Sequence, residues 1–157
     1  MTAHNRQVRQ TRGKTTMQNA ALAVGVVFLL VGILGFLPGV TSEHNQMEMA
    51  GPESEALLLG IFQVSVLHNT VHLLFGVAGV VLARTYSNAR NFLLIGGIIY
   101  LVLWIYGLVI DQDSTANFVP FNSADNWLHL VLGAGMVALA LILRRKREDA
   151  TTAANRP

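Results

Sequence analysis

The sequence predicts an all-α integral membrane protein, a four-helix bundle built from two tandem helical hairpins. Three observations carry that prediction. The 157-residue chain is 52% hydrophobic and only 13% charged, whereas soluble domains carry about a quarter charged residues. Four long stretches, residues 20–37, 56–83, 91–110 and 126–143, contain no Asp, Glu, Lys or Arg. All eleven basic residues lie outside those stretches, on alternate connections. The length allows one domain, and the absence of cysteine excludes a disulfide scaffold, a thiolate metal site and a cysteine nucleophile.

Each chargeless stretch is long enough to cross a hydrocarbon core of ~30 Å at about 1.5 Å per residue. In lipid the backbone must satisfy its own hydrogen bonds, so each is read as a helix. The expected helices run over about 19–37, 56–83, 91–110 and 124–143, within a membrane domain of residues 17–147. The polar ends, residues 1–16 and 148–157, are expected to be disordered cytoplasmic tails.

The first helix follows Arg6, Arg9, Arg12 and Lys14, and Pro38-Gly39 should stop it. It is too long for a signal-peptide apolar core and lacks an Ala-x-Ala site, so it reads as a retained span. Pro52 should open the second helix, with Glu53 and Glu55 in its first turn, where carboxylates suit the positive dipole end. Arg84 and Arg90 separate the second and third helices. Asn122 or Ser123 can cap the fourth, with Asp125 close behind and Arg144, Arg145, Lys146 and Arg147 after it. The remaining two connections hold no Lys or Arg and carry Glu43, Glu48, Glu53, Glu55, Asp111 and Asp113. The positive-inside rule then places both termini in the cytoplasm. The juxtamembrane arginines suit anionic lipid headgroups better than nucleic acid.

An internal repeat underlies the hairpins. Asn69, His72, Leu73 and Gly76 recur as Asn126, His129, Leu130 and Gly133, an N-x-x-H-L-x-x-G pattern. Asn19, Gly25, Phe28 and Gly35 align with Asn91, Gly97, Tyr100 and Gly107. Two copies entering from the same side imply a pseudo-two-fold axis along the membrane normal. At about 100° per residue, Ser65, His68, Asn69, His72, Gly76 and Gly79 share one arc of the second helix. Gly25 and Gly32 mark the same kind of stripe on the first helix, Gly97 on the third and Gly133 on the fourth. Small residues on such stripes let membrane helices approach closely.

Counting back from Arg84 and Arg144 puts His72 about 18 Å and His129 about 22 Å from the inner face. His68, Asn69, His72, Asn126 and His129 therefore form one expected interior cluster in the outer half of the bilayer. No G-x-S-x-G, P-loop or H-E-x-x-H motif is present. Tyr100, Trp104 and Tyr106 read as packing and interface groups.

The stretch from Leu57 to Leu141 resembles the actinobacterial four-helix membrane proteins grouped as domain of unknown function 4383. The residues that carry the resemblance include Leu58-Leu59-Gly60-Ile61-Phe62-Gln63 and Ser65-Val66-Leu67-His68-Asn69, with Tyr106-Gly107-Leu108-Val109-Ile110-Asp111 and Asp125-Asn126-Trp127-Leu128-His129-Leu130. The resemblance implies a bacterial plasma-membrane protein and brings no activity with it.

Three functional readings follow from the cluster. The first is a non-catalytic structural or accessory membrane component, with Asn69 bonded to His129 and Asn126 to His72 across the bundle. Its partner is then another membrane protein or a second copy of the chain. In the second, His72 and His129 hold a haem iron or divalent metal between them, or His68 and His72 chelate zinc. No cysteine and no well-placed buried carboxylate completes that ligand set. In the third, the histidines relay protons or line a small transporter, although the inner halves of the second and fourth helices offer no further polar step.

Overall fold

In the computed structural model the described backbone covers residues 13–154, with side chains described through Arg144. Of the expected tails of residues 1–16 and 148–157, residues 1–12 and 155–157 lie outside it, while Thr16 and residues 148–154 are helical instead. Four helices dominate: α1 (Thr16–Leu34), α2 (Val66–Leu82), α3 (Tyr86–Val109) and α4 (Ser123–Ala154). Between α1 and α2 come three two-residue strands, β1 (Thr41–Ser42), β2 (Leu57–Leu58) and β3 (Phe62–Gln63), paired antiparallel in that order.

The helix starts are set by hydroxyl and amide caps. Thr15 and Gln18 form a reciprocal capping box at α1. Ser65 accepts from the amide of His68 at α2, and Thr85 from that of Asn88 at α3. Asn122 caps α4 by accepting from the amides of Ala124 and Asp125.

Three helical segments, Thr16–Leu34, Tyr86–Val109 and Ser123–Arg144, are long and apolar enough to cross a membrane. The helices turn large apolar side chains outward as well as inward. Leu74 and Val131 are each 66% exposed in mid-helix, while Ser65, Asn69 and Asn126 are buried. That distribution suits hydrocarbon around the helices better than water.

The second span departs from expectation. Instead of a helix over 56–83, residues 57–63 form the β2–β3 hairpin and α2 begins only at Val66. Pro52, Glu53 and Glu55 belong to the connection, not to a first helical turn. The chain turns over at Leu59 and Gly60, both at positive φ (56° and 72°), a geometry that ends any helix. The 17 residues of α2 span about 25 Å, short of a ~30 Å core. At the other end of the chain, α4 continues as a helix to Ala154, beyond the expected end near 143.

Helix α1 packs chiefly on α2, and α3 on α4. Met17, Ala21 and Phe28 of α1 meet Phe92, Leu93 and Tyr100 of α3 and Met136 and Ala140 of α4 in one core. The two long connections meet at one end of the bundle. There the amide of Gly51 donates to the Phe118 carbonyl (2.9 Å) and Asn122 Nδ2 to the Ile61 carbonyl (2.7 Å). At the opposite end Gln18 Nε2 donates to the carbonyls of Ala83 and Arg84, closing the end of α2.

Candidate functional site

Close helix approach positions the site. A methyl group at Gly25 would lie 2.8 Å from Val80 N and 3.0 Å from Gly76 O, and one at Gly79 would lie 2.7 Å from Gly25 Cα. The α3–α4 crossing is built alike. A methyl at Gly97 would lie 2.9 Å from Gly133 O, and one at Gly133 the same distance from Gly97 O. Gly32 faces Leu73 and the Asn69 carbonyl. Backbones this close leave no room for side chains on these glycines.

The five residues expected to form one cluster divide into two sets. Asn69 packs its amide group against Gly35 of α1, and Asn126 packs its amide against Gly107 of α3. The expected bonds from Asn69 to His129 and from Asn126 to His72 are not formed. Neither Asn69 Oδ1 nor Asn126 Oδ1 has a partner, and Asn69 Nδ2 reaches only Met47 Sδ at 3.8 Å. Residues three apart on a helix differ by about 60° in direction, so each Asn turns to its neighbouring helix and each His elsewhere.

The histidines share a cavity of about 180 Å³. His68, His72 and His129 line it together with Asp125. Its apolar walls include Phe28 and Val31 of α1, Leu58 and Phe62 of the strand cap, and Leu128 and Leu132 of α4. The rings of His68 and His72 stack with centroids 4.6 Å apart, and Phe28 stacks on His72 at 5.6 Å. Tyr100 and Phe121 meet His129 edge-on at 5.2 and 5.4 Å. Nδ1 of each of the three imidazoles is buried without a hydrogen-bond partner.

Stacked rings do not converge on a point, as metal ligands must. Among the described residues no group of three or more His, Cys, Asp or Glu is placed to hold a metal ion. The cavity nevertheless contains a carboxylate, Asp125, which the sequence alone places at the mouth of the fourth helix. Asp125 is 4% exposed. Its Oδ2 accepts from the amides of Gln63 (2.8 Å) and Asn122 (3.0 Å), tying β3 to the start of α4. The Asn122–Asp125 pair is a capping box, a signal readable in sequence. What buries it is the strand hairpin lying across the helix start, which replaced an expected helix. Gln63 adds side-chain bonds to the carbonyls of Pro52 and Ser54. Asn117, 1% exposed, pins the other connection through Gln112 O, Phe121 O and Phe121 N.

A family model described as Domain of unknown function (DUF4383) matches residues 18–142. No curated protein and no solved structure matches the chain.

Proposed function

We propose that this chain, which belongs to the domain of unknown function 4383 family, is a non-catalytic, multi-pass component of the bacterial plasma membrane. Both termini face the cytoplasm, where Arg84, Arg90 and the basic run from Arg144 meet anionic headgroups. The strand cap and its acidic connections face outward. The chain is two tandem hairpins, α1–α2 and α3–α4, about a pseudo-two-fold axis along the membrane normal. Its role is structural or accessory, beside another membrane protein or a second copy.

One correspondence carries this reading. Two repeat-related pairs make the same kind of contact in their own hairpins: Gly25 with Gly76 as Gly97 with Gly133, and Gly35 with Asn69 as Gly107 with Asn126. Phe28 also meets His72 where Tyr100 meets His129, though the first pair stacks and the second is edge-on. Conserving such contacts across two hairpins favours a packing role for these residues over a reaction.

The native chain has no cysteine, so single cysteines report topology cleanly. Ser42→Cys and Ser114→Cys should react with a membrane-impermeant maleimide on intact spheroplasts, and Lys14→Cys only after permeabilisation. The reverse pattern would overturn the orientation. Stoichiometric metal or a Soret band in the purified protein would overturn the non-catalytic reading.

A further inference from the structure

We propose that the cavity between α1 and α4 binds a lipid-soluble ring compound bearing a hydroxyl group, a phenol or hydroquinone. The lipid route rests on the membrane reading above; the site itself rests on its walls. Size sets the first limit. A cavity of about 180 Å³ is comparable with an engineered apolar cavity of about 150 Å³ that takes up benzene, so one six-membered ring fits.

The lining sets the second. Phe28, Val31, Leu128 and Leu132 offer close contact to an apolar body and no hydrogen bond to water. The imidazoles of His68, His72 and His129, each more than nine-tenths buried, complete the wall, with their Nδ1 atoms enclosed behind it. Asp125 is on the same wall, and both of its hydrogen bonds use Oδ2 alone. A ring-sized apolar space with one carboxylate oxygen left over and imidazole edges on its wall fits a ligand that is mostly hydrocarbon with one polar corner.

A hydroxyl is the polar group that matches both partners. It donates to a carboxylate or a bare imidazole nitrogen and accepts from an imidazole N–H. A quinone carbonyl only accepts, and beside Asp125 it would set oxygen against oxygen. An anionic headgroup would face the same carboxylate at still greater cost.

Access sets the third limit. Val27 lines the cavity and is also 51% exposed on the outer surface of α1. One wall of the cavity is therefore a single side chain on the flank of the bundle, where the membrane reading puts hydrocarbon, while the strand cap covers the end.

The test uses the full chain in dodecyl maltoside micelles with 4-fluorophenol and fluorobenzene as fluorine NMR probes. A bound 4-fluorophenol resonance should saturate near one per chain, with fluorobenzene weaker by about tenfold or more. Val31→Phe, which fills the cavity and leaves its polar groups intact, should abolish the bound signal. Leu132→Phe is an independent filling, and circular dichroism checks that each variant is folded. Equal binding of the two probes, no saturable site, or wild-type binding in both folded variants would each overturn the proposal. A chain that passes the cysteine-labelling test yet binds no phenol overturns this site alone.

Discussion

Asn126 lies with its amide oxygen directly against Gly107, and Asn69 stands in the same relation to Gly35. In each pair a glycine on one helix makes room for an amide on the next. The polar group is accommodated by the absence of a side chain opposite it.

Replacing Gly35 or Gly107 by Ala should therefore force the facing amide to move. The expected cost is about 1–3 kcal/mol for each, read as a fall in unfolding midpoint in detergent. If Gly107→Ala unfolds like the wild type, the contact is looser than described.

Gly25→Ala and Gly133→Ala should lower stability by a similar amount, because the new methyl meets backbone on the partner helix. Gly135→Ala provides the contrast, since nothing lies within 4 Å of its added carbon. There the better helix propensity should raise stability by about 0.5–1 kcal/mol. Equal effects at Gly133 and Gly135 would contradict the packing assignment.

Asp125→Ala removes one side of the capping box and frees the strand hairpin from α4. The loss should be about 1–3 kcal/mol. Amide exchange should quicken at Gln63 and Asn122 but not at Gly97. Uniform acceleration along the chain would show that the carboxylate holds more than this junction.

His129→Phe tests what the imidazole contributes to folding. Its ring packs edge-on with Tyr100 and Phe121, and its Nδ1 is unpartnered. An aromatic hydrocarbon in its place should leave stability unchanged or raise it by up to about 1 kcal/mol. A large fall in the thermal midpoint would point to a hydrogen bond absent from the structure. Affinity for 4-fluorophenol should fall in the same variant.

The four helices were legible because a chargeless run of this length has few other folded forms in lipid. The Asn122 cap and the stripes of glycine could be read from residue type and spacing alone. Residues 57–63 could not. Freedom from charge is necessary for a membrane helix but not sufficient, and the positive φ at Leu59 overrides it. The Gly60 turn signal stood in the sequence, yet an apolar run around it outweighed it. The proposed bonds between Asn and His failed for a related reason. A helical wheel places Asn69 and His72 on one arc but does not say which helix each will face. Burial of Asp125 depends on β3, so it could not be read while that strand was taken for helix.

The shortness of α2 has a mechanical consequence. In the membrane arrangement proposed above, a sheet of acyl chains meeting one short rod beside three long ones would pucker along that flank. Exposed Leu59 and Ile61 at the hairpin tip soften the step by offering grease where the rod has ended. Bilayer thickness thus becomes a variable to which the chain responds, and its abundance in vesicles of graded acyl length should peak toward the thinner ones.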